Sequence, residues 1–155
     1  MKLMDFVCPS CVAADLDVTG KEHVLGRMVD MLANCDRIGD PAKLLHSLLE
    51  REKIMTTGIG HGIAVPHSVC EEVKSQTIAL ARVPAGADFD SLDREPVYFV
   101  FLLVGPPAAS ATHLKTLARI SRLVQHSEFV QEIKQAATVE DIIEILAGED
   151  AKHAG

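Results

Sequence analysis

The stretch Thr57-Gly58-Ile59-Gly60-His61-Gly62-Ile63-Ala64-Val65-Pro66-His67 decides how the rest of the chain is read. Its three alternating glycines permit backbone conformations that a Cβ hinders. They also let backbone N–H groups approach a ligand closely, as an anion-binding concavity requires. An apolar triplet follows, then Pro66, which fixes its own φ and removes a donor. His67 comes directly after that rigid joint. A histidine held stiffly beside a glycine-rich turn suits phosphoryl chemistry: imidazole is a good nucleophile near neutral pH, and the turn can hold the anion. Gly58, Gly60, Gly62, His61 and Ser68 are therefore expected to cradle a phosphate.

Helices are expected before this stretch. Thr19-Gly20-Lys21-Glu22 has the capping-box pattern and predicts a helix to about Cys35, with Val24, Leu25, Met28, Met31 and Leu32 on one face. Asp40-Pro41 predicts a second start, Asp as N-cap and Pro at the first helical position. Leu44, Leu45, Leu48 and Leu49 carry that helix's apolar face, and its end is expected near Arg51-Glu52. Met55-Thr56-Thr57 and Ile63-Ala64-Val65 read as short strands.

After the glycine stretch, Thr77–Val83 is a strand by residue type. Pro96-Val97-Tyr98-Phe99-Val100-Phe101-Leu102-Leu103-Val104 is too apolar for a half-wet strand and reads as a central one buried on both faces. Gly86–Asp90 reads as a turn or loop between them. Thr112 is expected to cap a long helix with Leu114, Leu117, Ile120, Ser121 and Val124 near one stripe. Ser127 opens a short helix through Ala136. Thr138 opens a last one that closes at Gly148, leaving Glu149–Gly155 as a polar, frayed tail. Helices before, between and after strands predict a three-layer α/β sandwich over one domain, residues 1–155.

Composition narrows the function. The 155 residues fit one domain, and 48% apolar content is enough for a core. With 4% aromatics and no Trp, that core must be aliphatic. A net charge of −7 argues against nucleic acid as the main partner. No apolar run approaches the ~20 residues that cross a bilayer, and Met1-Lys2-Leu3-Met4-Asp5 lacks a secretory core, so a cytoplasmic protein without membrane insertion is expected.

GxxxxGK[ST], GxGxxG, HExxH and Gly-x-Ser-x-Gly are all missing, which leaves little for nucleotide binding, zinc hydrolysis or a serine hydrolase. Histidine remains. If the buried strand ends at Val104, His113 emerges at the carboxyl end of a sheet strand, where open α/β sheets place their sites, and can meet His67. Arg51 and Arg82 are candidates for phosphate contact, Arg51 the stronger because it ends a helix shortly before the glycine stretch. A metal held by His61, His67, Cys70 and His113 matches no zinc spacing. Cys8-Pro9-Ser10-Cys11 is a CxxC without a second close pair, read as a chance pair in a loop and expected to bind no metal.

Together these residues resemble a known family. Leu48-Leu49-Glu50-Arg51-Glu52, the block Thr57–His67, Asp88-Phe89-Asp90-Ser91-Leu92-Asp93, the apolar strand before Gly105-Pro106, and His113-Leu114-x-x-Leu117-Ala118 are similar to the fructose–mannitol type IIA proteins of the bacterial sugar phosphotransferase system. The similarity runs from about Met1 to Gly148. It includes stand-alone nitrogen-regulatory members of about this length. It implies an α/β sandwich around a mixed, mainly five-stranded sheet, and a phosphoryl carrier whose acceptor is His67. It also implies His113 as second active-site histidine and Arg51 as active-site arginine. His61 is a departure, since a small polar residue is common there. The donor is expected to be the histidine phosphocarrier protein. The next acceptor is either a cysteine on a IIB domain or none, with the phosphate kept as a regulatory mark. A regulatory role is the favoured expectation, because the domain reads as free-standing. No cofactor or metal is expected, because the donor phosphate is already activated on a histidine.

Overall fold

A computed structural model describes residues 2–153. Strand β5 (Thr77–Ala87) runs antiparallel to β6 (Val97–Gly105), with Leu80 opposite Phe101 and Ala81 opposite Val100. Successive side chains of a strand point to opposite faces. Thus Ala79, Ala81, Val100, Leu102 and Val104 enter one core, while Ile78, Leu80, Phe99, Phe101 and Leu103 enter another. A sheet apolar on both faces needs helices on each. Helices α1 (Lys21–Ala33) and α2 (Pro41–Ile54) cover the first face through Leu25, Met28, Leu32, Leu44 and Leu48. Helices α3 (Ser110–Leu123), α4 (Ser127–Lys134) and α5 (Val139–Lys152) cover the second through Ile120, Leu123, Ile133, Ile142 and Leu146. The expected three-layer sandwich is present.

The sheet is mixed, in the order β1 (Val7–Ala13), β5, β6, β3 (Ile63–Ala64), β2 (Gly58–Gly60), with β4 (His67–Val69) also paired to β6. β3 and β4 both run parallel to β6 along one edge, His67 opposite Leu103 and Ile63 opposite Phe99. Between them lies Val65-Pro66, where proline cannot donate a ladder bond. The six strands therefore occupy five positions.

Local expectations are corrected at several points. Thr19 does not cap α1: Gly20 is the N-cap, and the Thr19 carbonyl is engaged by the Asp88 N–H at 3.1 Å. Asp40 does cap α2, its Oδ1 accepting from the Ala42 N–H at 3.0 Å, but the helix runs on to Ile54. Met55-Thr56-Thr57 is not a strand, because the Thr57 N–H turns back to the buried Glu52 carboxylate. Gly86 and Ala87 belong to β5, which continues past a register shift after Arg82. α3 starts at Ser110 rather than after a Thr112 cap, and its buried stripe is His113, Thr116, Arg119, Ile120 and Leu123, with Leu114 67% exposed. Val124 and Ile120 are buried as expected, but Ser121 is exposed. α5 extends through Lys152, so Glu149–Lys152 are its last turn and not a frayed tail. Asp150 is fully buried there. Cys8-Pro9-Ser10-Cys11 lies within β1, not in a loop.

Candidate active site

Three element ends converge at the carboxyl end of β6. The last turns of α2 bring Ser47, Glu50, Arg51, Lys53 and Ile54; β4 brings His67, Ser68 and Val69; the start of α3 brings His113, Leu114 and Leu117. They line an open cleft of about 600 Å³. Pairing of β4 with Leu103, Val104 and Gly105 sets the height of His67 in the sheet. The chain then leaves β6 through Gly105 and a 3-10 turn, Pro107–Ala109, into α3.

His67 Nδ1 lies 2.8 Å from the Val65 carbonyl oxygen. A carbonyl can only accept, so Nδ1 carries the proton and Nε2 keeps its lone pair. Burial lowers the His67 pKa from its ordinary 6.5, and the Arg51 charge lowers it further, against an opposing effect of the Val65 bond. The ring is therefore neutral at pH 7, the form a nucleophile needs. The His113 ring centre is 6.0 Å from that of His67, with an angle of 50° between the planes. Burial, then the neighbouring His67, lower the His113 pKa as well.

His113 Nδ1 has no hydrogen-bond partner among the described residues, and neither does the side-chain amide of the buried Gln76. These polar atoms flank Gly105: a Cβ there would meet Gln76 Oε1 and lie 3.6 Å from His113 Nδ1. Buried polar groups without partners are uncommon and call for a physical reason. Ser68 Oγ is 2.5 Å from Ser47 Oγ. Ser47 was not singled out in the sequence, although it sits one helical turn before Arg51 and shares its face.

The fold brings His67, His113, Arg51 and Ser68 together, and it does not bring the glycines to them. Gly60 pairs with Ile63 around the two-residue loop His61-Gly62, whose φ angles are 58° and 80°. Positive φ at both central positions marks a hairpin turn that matches strand twist. The three glycines serve this hairpin. Gly58 lies against Ser91, Gly60 against Asp93, and Gly62 against Lys134 and Tyr98. The His61 N–H donates to Asp93 Oδ2 at 3.1 Å, and its carbonyl accepts from Lys134 Nζ at 2.8 Å. Ile63 faces Phe99 while His67 faces Leu103. Four residues of strand, about 13 Å, separate the hairpin from the histidine. Gly58, Gly60, His61 and Gly62 are thus turn and packing residues, outside the cleft. Arg82 is also elsewhere: its Nε donates to the Ala14 carbonyl at 3.0 Å. His61 does not join His67, Cys70 and His113, so that metal set is not assembled.

Residues 5–149 match the model of the family described as "Phosphoenolpyruvate-dependent sugar phosphotransferase system, EIIA 2". The chain is 33% identical over 147 residues to a nitrogen regulatory protein of Bradyrhizobium diazoefficiens, covering 95% of each. It is 33% identical over 127 residues to a fructose-specific EIIA component of Haloferax volcanii, covering 82% of each. Longer relatives also match: the chain spans 24% of the fructose-specific EIIABC component of Bacillus subtilis, with 31% identity over 150 residues. Among solved structures, nitrogen regulatory protein IIA-Ntr of Neisseria meningitidis superposes with a TM-score of 0.82 at 25% identity, over 92% of this chain and 97% of that one. With the family model spanning nearly the whole chain and relatives matched end to end, this chain belongs to the EIIA 2 family of the phosphoenolpyruvate-dependent sugar phosphotransferase system.

Proposed function

We propose that this protein is a cytoplasmic phosphotransferase component that carries a phosphoryl group on His67 Nε2. The observation that supports it best is the His67 Nδ1 to Val65 carbonyl bond, which leaves Nε2 as the unprotonated nitrogen beside the cleft. The lone pair of Nε2 attacks the phosphorus of a donor phosphohistidine on the histidine phosphocarrier protein. A new N–P bond forms as the donor's N–P bond breaks, and the donor imidazole leaves with its electron pair. The His67 ring gains positive character, and its Nδ1–H stays on the Val65 carbonyl. Phosphoryl transfer has a loose transition state, so positioning and charge neutralisation do most of the work. Arg51 and His113 offer donors to the phosphoryl oxygens, and Ser68 lines the same cleft. No metal is called for in this exchange.

The rim of the cleft supports a protein as donor. Ile54, Leu114 and Val69 line it and are 79%, 67% and 41% exposed. Apolar side chains grouped around a charged centre suit docking of a second protein.

A regulatory role is favoured for the phosphorylated form, because the end-to-end relatives include nitrogen regulatory proteins. The added charge of about −1.5 to −2 at the cleft changes which partners dock. Relay to a IIB cysteine is the second reading, favoured by the fructose-specific EIIA relative. Phosphocarrier protein charged from phosphoenolpyruvate is expected to label one acid-labile, alkali-stable site. Full labelling of His67→Ala would overturn the assignment. A pull-down with His67→Ala and His67→Asp separates the two readings: recovery of only a sugar-specific IIB chain, with rapid discharge onto it, refutes the regulatory one.

A further inference from the structure

Far from the histidines, three of the four cysteines meet. Cys11 is fully buried, Cys8 is 6% exposed, and Cys35, just beyond the end of α1, is half-buried. Cys11 and Cys35 are joined as a disulfide, and Cys8 Sγ lies 3.1 Å from Cys35 Sγ. All three sulfurs lie within 4.8 Å of one another. Ser10 Oγ adds an oxygen, 3.2 Å from Cys8 Sγ and 3.0 Å from Cys35 Sγ.

This convergence is built by the backbone. In a regular strand, residues three apart point to opposite faces. β1 is not regular here: Val7 pairs with Ile78 and Val12 with Leu80, so five steps of β1 cover two of β5. Cys8-Pro9-Ser10-Cys11 lie opposite the single Ala79, bulged so that both thiols turn toward α1. A bulge in an edge strand re-aims side chains.

We propose that in the reduced protein Cys8, Cys11 and Cys35 form a three-thiolate site for one thiophilic d10 cation of the Zn2+ class, with Ser10 Oγ at the outward fourth position. A disulfide uses two of these sulfurs and leaves the buried Cys8 thiol beside them. One cation uses all three, and with metal–sulfur bonds of about 2.3 Å it spans a cluster of this size. The donor set is sulfur-rich, with no histidine or carboxylate, which selects Zn2+ or Cu+ over hard cations. Reaching the site takes two electrons and two protons from a dithiol reductant, which is itself oxidised to a disulfide while Cys11–Cys35 opens to two thiols. Binding then releases the thiol protons. The expectation that the CxxC binds no metal rested on the lack of a second close pair. The fold supplies a third thiol from 24 residues further along the chain.

The test is titration of phosphine-reduced, desalted full-length protein with Zn2+ against a chromophoric chelator under anaerobic conditions. One Zn2+ per chain is expected. Lost outer-shell partners alone cost 10–100-fold in metal affinity. Cys35→Ser, which removes a ligand and is only half-buried, is expected to weaken binding by more than ~100-fold with unchanged circular dichroism. Cys70→Ser and His153→Ala are expected to leave it unchanged. The Co2+-loaded protein is expected to show thiolate-to-metal charge-transfer absorption that Cys35→Ser removes. No Zn2+ uptake by the reduced protein overturns the proposal, as does uptake that survives Cys35→Ser. So does uptake lost in His153→Ala, which would assign the cation to the His126, Glu149 and His153 group instead.

Discussion

Replacing Asp150 by Ala tests how the last helix is held. Asp150 lies in the final turn of α5 and is fully buried, as is Arg119 of α3 to within 1%. Arg119 Nε donates to Asp150 Oδ1 at 2.8 Å, and its terminal nitrogen Nη2 donates to the Asp150 carbonyl at 2.7 Å. Asp150 Oδ2 accepts the Met4 N–H at 3.1 Å. One carboxylate thus ties α3, α5 and the N-terminal turn. Alanine keeps the backbone bond but takes the Asp150 carboxylate away from the buried guanidinium, and removing one side of a buried ion pair costs about 3–5 kcal/mol. The Met4 N–H loses its acceptor, adding about 1 kcal/mol. Against a total stability of roughly 5–15 kcal/mol, that is a large fraction. At about 2–4 °C per kcal/mol for a domain of this size, Tm is expected to fall by roughly 8–24 °C. Calorimetric or circular-dichroism melts, with urea titrations to check that the slope is unchanged, measure it. The double variant Arg119→Met with Asp150→Leu is expected to recover much of the loss, since an apolar pair replaces a desolvated ion pair at little cost. An Asp150→Ala protein within about 0.5 kcal/mol of the parent would refute the reasoning and restore a frayed end after Gly148.

Three further outcomes are expected. His113→Ala and Arg51→Ala should still accept phosphate on His67, each with transfer slowed about 100-fold or more, the usual effect of losing one preorganised charge-stabilising donor; unchanged single-turnover rates in both would sink the geometry. Because His67 and His113 have pKa values below the ordinary 6.5, the folded state takes up their protons less readily than the unfolded chain, so their contribution to stability is complete above pH 6.5 and is lost as pH falls below it. Urea unfolding across that range should show the fall, and a His67→Gln/His113→Gln protein should show a flatter one. Gly62→Ala forces a Cβ onto a φ of +80° and to 2.9 Å from Lys134 Cδ, so a loss of about 1–2 kcal/mol is expected in denaturation while labelling of His67 continues; loss of labelling in a folded variant would return the glycines to the phosphate.

The elements were legible wherever one local signal dominated. Phe99–Val104 has no polar position to point at water, so it had to be a two-sided strand, and Asp40-Pro41 caps α2 with both residues in their preferred places. The errors arose where a distant partner outbid the local signal. Thr19 has the right spacing to cap, yet Asp88 already holds its carbonyl. In α3, spacing alone put Leu114 inward, but the buried pair of Arg119 with Asp150 rotates the helix so that His113 and Thr116 face the sheet. Asp150 itself read as tail because an acidic residue in a polar stretch carries no sign of a buried arginine 31 positions earlier.

The candidate site was legible for a related reason, and misread in one respect. Pro66 and His67 sit together in the chain, so their rigidity could be read directly, and His113 followed from the end of an unmistakable strand. The glycines looked like an anion cradle because they adjoin His67 in sequence. Adjacency along the chain is a poor guide once strands form, since β3 and β4 climb the same edge of β6 and each residue adds about 3.3 Å. The glycines' demands are conformational and steric: positive φ at Gly60 and Gly62, and at Gly58 no room for a Cβ beside Ser91. A hairpin so constrained fixes the height at which β3 meets Phe99, and through the stiff Val65-Pro66 joint it fixes where His67 meets Leu103. The glycine stretch therefore acts on the histidine through register, by setting the level of the sheet from which His67 enters the cleft.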